Sequence, residues 1–395
     1  MSPLLTLLIA SVVSFVTSLW IHPYILKLAK MKNITDAPDK RKLQKEPVPV
    51  MGGHAVLFGI LAGLLVAQCA LDCQPLLTVV IASGMMLYLG SLDDILNLSP
   101  AARFSSEILL ALMLIYGGGL IIDDFHGLFG INQIPPTIAV PLTVLTFVGV
   151  VNAINLIDGV DGLSSGFGIM TCGFFCVIFG LSGDWCWAVL ALISATALLP
   201  FFLHNVFGSK SHIYIGDGGT LLLGTFLAAF VLEVLRHDSP VAQAAAGWHG
   251  LCLIAMVLAL LAEPIADCLR VMGWRVVKGI SPFYPDRTHM HHLFIEARFS
   301  HLFTTFFILV FNLLVLGVWY LSYWLGADQG WQLLIVIGMA VLVDFGFYYW
   351  MSFERKENSR AYRHFVWFGI HTHFKRTGFW KRMRRLMDGG EESVR

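Results

Sequence analysis

The stretch "WCWAVLALISATALLPFFLH", residues 185–204, runs for twenty residues with no Asp, Glu, Lys or Arg. A hydrocarbon core about 30 Å thick takes roughly 20 mostly apolar residues per helix, so the stretch reads as a membrane-crossing helix. It is one of eleven such runs, at approximately 3–26, 50–71, 76–92, 104–122, 137–154, 163–182, 185–204, 219–235, 247–269, 301–325 and 330–351. Over 395 residues the chain is 57% hydrophobic and only 13% charged, against roughly 25% charged in soluble domains. The expected fold is an all-α integral membrane protein, a polytopic bundle of about eleven transmembrane helices.

Lys and Arg beside short loops are retained on the cytoplasmic side. With the N-terminus outside and the C-terminus cytoplasmic, 25 of the 26 basic residues fall inside and only Arg236 falls outside. The zero net charge therefore conceals a basic inner face suited to lipid phosphates and soluble anions. The expected location is the bacterial inner membrane, multi-pass, with membrane lipid as surroundings. Nucleic acid is excluded as a partner, because no soluble basic domain exists to bind it. The first apolar run is longer than a signal-peptide core and leads straight into lysines, so it reads as a retained helix.

No Gly/Ser/Pro-rich linker or internal repeat divides the chain. Residues 1–353 read as one transmembrane domain and residues 354–395 as a basic cytoplasmic tail. In the tail, "RHFVWFGIHTHFKRTGFWKRMRRL" interleaves aromatic and basic residues as an interfacial helix does, with a solvated stop-transfer tail as the alternative. The seven cysteines lie mostly inside apolar runs, where Cys acts as a small hydrophobe. Cys69 and Cys73, four apart on one helix, suit a disulfide poorly.

Ionisable residues in or beside membrane helices usually mark function. Five polar clusters stand out: "DAPDKRKLQKEPVPVMGG" (36–53), "LGSLDDILNLSPAARF" (89–104), "NAINLIDGVDGL" (152–163), "HNVFGSKSHIYIGDGGT" (204–220) and "SPFYPDRTHMHHLF" (281–294). The orientation places all five at the cytoplasmic side. Asp93 and Asp94 are adjacent carboxylates that repel unless a cation or proton compensates; a hard divalent cation held by one or two carboxylates and substrate phosphates would do so, and two solvated helix-end acids are the alternative. Asp158 and Asp161 are three apart, one face of a helical turn, between glycines that permit close approach of a ligand; their spacing is not that of an EF-hand, and a plain tight turn remains open. Asp217 stands among glycines ahead of an apolar run, where backbone N–H groups can meet phosphate oxygens, without the Gly-Lys-Ser/Thr ending of a Walker motif. Arg287, His289, His291 and His292 form a donor-rich, cationic wall for anionic oxygens. Zinc is the rival reading there, but the spacing is not that of a zinc protease. Acidic metal-binding candidates, glycine-rich turns and a cationic wall on one face suit phosphoryl transfer, which depends on positioning and charge neutralisation.

The order DD, N-x-x-N-x-x-DG-x-DGL, GD-x-G-[ST], SPF-x-x-D-R-x-H-x-HH resembles the polyprenyl-phosphate N-acetylhexosamine-1-phosphate transferases, the MraY/WecA superfamily, over about residues 36–295. The "PDRTHMHH" ending is more similar to the WecA-like branch than to MraY. The resemblance implies transfer of a sugar 1-phosphate from a UDP-N-acetylhexosamine to undecaprenyl phosphate, with release of UMP, the first step of a cell-envelope polysaccharide. It implies Mg²⁺ or Mn²⁺, with Asp217 as chief ligand and Asp158 beside it. Asp93 and Asp94 would orient or deprotonate the lipid phosphate. Asp158 and Asp161 with Asn152 and Asn155 would line the nucleotide and metal pocket, with Asn205 and Tyr214 near the uracil, Lys45 on phosphate, and His289 and His291 at the donor phosphates.

Where many members carry a lysine after the DD pair this chain has Ala101, which leaves Arg103 as the nearest cation for the lipid phosphate. A phosphate monoester has a second pKa of about 6, so the lipid nucleophile is largely ionised without a base, which favours direct attack over an aspartyl intermediate. The foremost donor is UDP-GlcNAc; an MraY-like transfer of phospho-MurNAc-pentapeptide is the alternative within the family. A secondary transporter is the rival from another class, kept open by Glu107, Glu233, Glu263, Asp267 and Asp344 in or beside apolar runs. A membrane scaffold is a weaker rival. The oligomeric state stays open, a homodimer included.

Overall fold

The computed structural model describes residues 2–36, 46–248, 250–282, 284, 287–373 and 378–389. The chain is helical nearly throughout: α1 (Pro3–Met31), α2 (Gly52–Ala67), α3 (Leu77–Leu96), α4 (Pro100–Gly118), α5 (Pro136–Leu156), α6 (Leu163–Leu181), α7 (Trp185–Phe207) and α8 (Gly216–Leu235), then α9 (Pro240–Ala245), α10 (Leu253–Leu260), α11 (Ala262–Val277), α12 (Met290–Glu296) and α13 (His301–Trp324). The chain continues through α14 (Gln329–Ala340), a π-helical turn at Val341–Gly346, α15 (Phe347–Lys356), α16 (Arg360–His371) and α17 (Gly378–Met387). Among the described residues nine helices are long and apolar enough to cross a membrane.

Two of the eleven runs fall short of a full span. α2 has 16 residues. The run expected at 247–269 is broken between α10 and α11, and a single side chain holds the break: Asn312 of α13 donates Nδ2 to the carbonyls of Ala259 (3.4 Å) and Leu260 (3.1 Å), while its Oδ1 accepts from Glu263 N at 3.0 Å. Lipid offers no partner for such freed backbone groups, so an asparagine inside an otherwise apolar helix satisfies them.

Helix ends follow local rules. Ser99 caps α4 by accepting from Ala102 N at 3.3 Å, with Pro100 in its first turn, and Gly119 closes it at φ +66°; proline is tolerated there because its missing N–H would have no intrahelical partner. At the centre lies α8, whose membrane window is wholly buried. Phe230 of α8 meets Phe175 and Phe179 of α6 with ring centres 5.3 and 5.8 Å apart. Without a hydrophobic force between helices in lipid, small residues that let backbones meet set the packing. A Cβ at Gly90 of α3 would lie 2.4 Å from Gly218 N of α8, and one at Gly53 of α2 would lie 2.3 Å from Gly219 Cα.

The only strands among the described residues are Thr35–Asp36 and Val48–Pro49, β1 and β2, an antiparallel pair. They fasten the first polar cluster to the fourth: Tyr214 N donates to Pro49 O at 2.9 Å and Gly52 N to Tyr214 O at 2.9 Å.

Candidate active site

The ends of α3, α5 and α7 and the starts of α4, α6, α8 and α13 meet at one end of the bundle around a cavity of about 1040 Å³. Its lining draws on all five polar clusters, from Asp36 through Asp94, Asp158 and Asp217 to His291, and continues as an apolar trough past Phe104, Leu145, Val148, Leu258, Ile265 and Leu269.

The tight α3–α8 crossing decides where the acids go. Gly216 takes φ +79°, a left-handed conformation open to glycine, and α8 therefore begins directly against the last turn of α3. There Asp217 N donates to Asp94 Oδ1 at 3.2 Å, so Asp94 occupies the N-terminal end of α8, where aligned peptide dipoles favour an anion. Asp93 turns the other way. Its Oδ1 accepts from Leu98 N at 2.7 Å and its Oδ2 lies 3.6 Å from Arg103 Nη1. Arg103 also donates to Glu107 Oε1 (3.2 Å) and Asn152 Oδ1 (3.4 Å), and Asn152 donates to Glu107 Oε2 at 2.5 Å. The two adjacent aspartates thus join different networks.

Asn155 of α5 donates to Asp217 Oδ1 at 2.9 Å and to Thr220 Oγ1 at 2.7 Å, which fixes the Asp217 rotamer. The helical face expected for Asp158 and Asp161 is not formed. Residues 158–162 make an irregular turn that ends at Gly162, φ +82°, and the two carboxylates have unlike surroundings. Asp158 opens onto the cavity and is otherwise ringed by protein; burial pushes its carboxyl up to about 7, against the Ser164 hydroxyl that donates to it at 2.5 Å, and nearby Asp217 and Asp161 add to the rise. Burial would raise Asp161 as well, but His301 Nδ1 at 2.8 Å and His212 Nε2 at 3.3 Å outweigh it and hold the carboxyl well below the usual range. Asn205 spends both ends of its amide on backbone, accepting from Gly162 N (2.7 Å) and donating to Ile213 O (2.9 Å); it joins two cavity loops. Burial, with Asp161, Asp36 and Asp158 close by, holds the Tyr214 phenol protonated well above its ordinary range.

The histidine stretch departs from the expected cationic wall. His291 packs onto Gly159, where a Cβ would lie 2.0 Å from its Nε2. Burial, reinforced by His292 and His289, lowers its pKa well below the ordinary value, so it is a neutral imidazole. His289 and His291 stack with ring centres 5.7 Å apart and planes 5° from parallel. Arg287 is exposed and outside the lining, and Arg275 of α11, which the sequence did not single out, lines the cavity with His301. Lys45 lies outside the described residues. His212, although it lies in the stretch 204–220, and His301 carry no motif of their own in the sequence; each declares itself only by closing on Asp161.

Among the described residues no three His, Cys, Asp or Glu side chains converge as a ready-made metal cage. Mg²⁺ does not require one, since it is usually bound by one or two carboxylates together with substrate phosphates. Asp217 and Asp158 face one cavity, and a cation between them would offset the burial and the neighbouring negative charge that raise the Asp158 pKa. The residues present fit the ion.

The glycosyl transferase family 4 pattern matches residues 76–235, from the start of α3 to the end of α8. The chain is 25% identical over 283 residues to the undecaprenyl-phosphate alpha-N-acetylglucosaminyl 1-phosphate transferase of Escherichia coli (strain K12), covering 69% of this chain and 72% of that one. It is 28% identical over 299 residues to a probable undecaprenyl-phosphate N-acetylglucosaminyl 1-phosphate transferase of Bacillus subtilis (strain 168), covering 75% and 80%. To the decaprenyl-phosphate N-acetylglucosaminephosphotransferase of Mycolicibacterium smegmatis it is 27% identical over 319 residues, covering 74% and 75%. With the ordered acidic motifs gathered around one cavity, these matches support the MraY/WecA superfamily of polyprenyl-phosphate N-acetylhexosamine-1-phosphate transferases as the family this chain is similar to.

Proposed function

We propose that this phosphotransferase moves GlcNAc-1-phosphate from UDP-GlcNAc to undecaprenyl phosphate at the cytoplasmic face of the bacterial inner membrane, with Mg²⁺ as cofactor. The observation that carries the reading is a single cavity in which a lipid-compatible trough runs into a set of carboxylates and imidazoles. A soluble nucleotide sugar and a membrane-bound phosphate can meet there. The sidedness rests on the basic residues, 25 of 26 of which fall on the side assigned to the cytoplasm.

An oxygen of the acceptor phosphate attacks the donor phosphorus that bears the sugar; the bond from that phosphorus to the UMP oxygen breaks, and UMP leaves with the electron pair. Asp217, oriented by Asn155, and Asp158 would hold the cation. When bound, it neutralises phosphate charge as the transfer proceeds. Asp94 keeps the first turn of α8 in place by accepting from Asp217 N. Asp161, ionised between His212 and His301, and Asn205 fix the loops that present Asp158 and Tyr214 to the nucleotide. Arg103, held by Asp93 and Glu107, faces the acceptor phosphate where Ala101 has no charge to offer, and His289 and His291 meet the donor phosphates.

Four of the five acids that left a transporter open have local partners. Glu107 pairs with Arg103 and Asn152, Glu233 with Arg236 at 3.2 Å, and Asp267 and Asp344 with Arg270. The test is a donor panel with purified protein, undecaprenyl phosphate and Mg²⁺, scored by UMP release. UMP from UDP-GlcNAc that requires both lipid and metal supports the reading, and release from UDP-MurNAc-pentapeptide alone would move the chain to the MraY-like alternative.

A further inference from the structure

Behind the histidines lies a buried ionic cluster that the reaction scheme does not use. Asp267 and Arg270 of α11 and Asp344 of the π-helical turn are all at most 2% exposed. Asp267 Oδ2 accepts from His289 Nδ1 at 2.7 Å, and its Oδ1 accepts from Met290 N at 2.9 Å and from Arg270. Arg270 donates to Thr288 O at 2.9 Å and to Asp344 Oδ2 at 3.3 Å, and its guanidinium lies 3.6 Å from the centre of the Tyr348 ring. The pair therefore grips three consecutive residues, Thr288 by its carbonyl, His289 by its ring and Met290 by its amide. Taking charges out of water is costly, and apolar residues often hold a fold at least as well. The His289 ring is tied through Nδ1, which leaves Nε2 for the cavity that His289 lines.

We propose that Asp267 is a positioning residue, which with Arg270 fixes the orientation and tautomer of the His289 imidazole so that Nε2 presents to the donor phosphates. The inference rests on the reading that His289 contacts the donor. A carboxylate on the far nitrogen fixes the tautomer and direction of an imidazole, and at metal-bound histidines loss of such a partner typically costs about 10–100-fold.

The test compares Asp267→Asn, His289→Ala, their double variant and Asp344→Asn in purified full-length protein, with UMP release, donor KM, Mg²⁺-dependent UDP-GlcNAc binding and the thermal midpoint as readouts. The expected result is a kcat loss of roughly 10–100-fold in Asp267→Asn with donor KM little changed, and a double variant no worse than His289→Ala alone, since residues acting as a unit are not additive. Asp344→Asn loosens the same cluster without touching His289, so it should lower the thermal midpoint and keep kcat. If Asp267→Asn does not fold, Asp267→Asn with Arg270→Gln, which leaves no lone buried charge between the pair, carries the same test. A double variant that loses the product of both single losses, or equal kcat losses in Asp267→Asn and Asp344→Asn, overturns the positioning role. Full activity in His289→Ala instead removes the donor-contact reading on which it rests.

Discussion

Asp217 and Asp94 meet head-on where α8 starts: the Asp217 backbone N–H donates to Asp94 Oδ1 at 3.2 Å, while the Asp217 side chain is turned away and held by Asn155 at 2.9 Å. Both line the cavity, but only Asp94 also holds the helix end. Substituting them should have different consequences.

Asp217→Asn keeps the volume and the Asn155 contact but removes the charge. A divalent cation contributes several kcal/mol to the transition state, and about 1.4 kcal/mol is tenfold in rate. UMP release should therefore fall by roughly three orders of magnitude and not recover with added Mg²⁺. Asp94→Asn should keep Mg²⁺-dependent UDP-sugar binding and lose transfer. Titrating Mg²⁺ against donor binding in both variants checks the assignment, and the opposite pattern would give the metal to Asp94.

Gly90→Ala changes no polar group. Its Cβ would lie 2.4 Å from Gly218 N and 2.6 Å from Asp217 C, so α3 and α8 must part, at an overpacking cost of about 1–3 kcal/mol. Both the thermal midpoint and kcat should fall. Gly84→Ala on the same helix meets nothing within 4 Å and should leave both unchanged.

Arg103 contacts Asp93, Glu107 and Asn152 through separate guanidinium nitrogens. A lysine keeps the charge but loses the planar fork, so Arg103→Lys should raise the acceptor KM while leaving donor binding alone, and Arg103→Ala should do so more strongly. Steady-state kinetics with the lipid varied at saturating donor decide this, and an unchanged acceptor KM in Arg103→Ala would remove the residue from the lipid side.

The tail is anchored at its far end. Asp388 Oδ1 accepts from the backbone N–H groups of Ser209, Lys210 and Ser211 at 3.1, 3.1 and 3.0 Å and from the Ser211 hydroxyl at 2.9 Å. Modest burial would raise its pKa, but these four donors hold the carboxyl below its ordinary range. For a depressed carboxyl the stabilisation is present above the unfolded pKa, about 4, and is lost as pH falls through the lower folded value. Hydrogen exchange at residues 209–211 should thus be slow near pH 7 and quicken relative to the rest of the chain below about pH 4. Asp388→Asn should exchange quickly at pH 7, and slow exchange in that variant would show that the anchor lies elsewhere.

The helices were legible because 20-residue apolar runs leave the chain little choice in lipid. The break after Leu260 was not, because its cause, Asn312, lies 52 residues away and resembles any stray polar residue in the apolar run of α13. Asp93, Asp94, Asp158, Asp217 and the histidines could be singled out since glycines and acids crowd together in short stretches. Their division of labour could not: only the α3–α8 contact separates Asp94 from Asp93, and only the turn at Gly162 separates Asp161 from Asp158. Asp267 was visible as an acid in an apolar run and was read toward transport, because its partner His289 is contributed by a segment beyond the end of α11. The tail was expected as a separate basic segment, yet Phe207 of α7 meets Trp380 with ring centres 4.9 Å apart.

The walls of the cavity differ in compliance. On one side Gly90 meets Gly218, Gly53 meets Gly219, and a Cβ at Gly224 would lie 2.8 Å from Val151 Cα, so α2, α3, α5 and α8 are joined backbone to backbone and have no slack to slide. On the other side α10 and α11 abut at a break that one asparagine spans. α11 instead meets its surroundings through side chains, with Asn312 at its start and Asp267 and Arg270 behind the histidines. The spacing of Asp94 and Asp217 is therefore set by glycines that carry no charge themselves, through backbones that meet without a side chain between them.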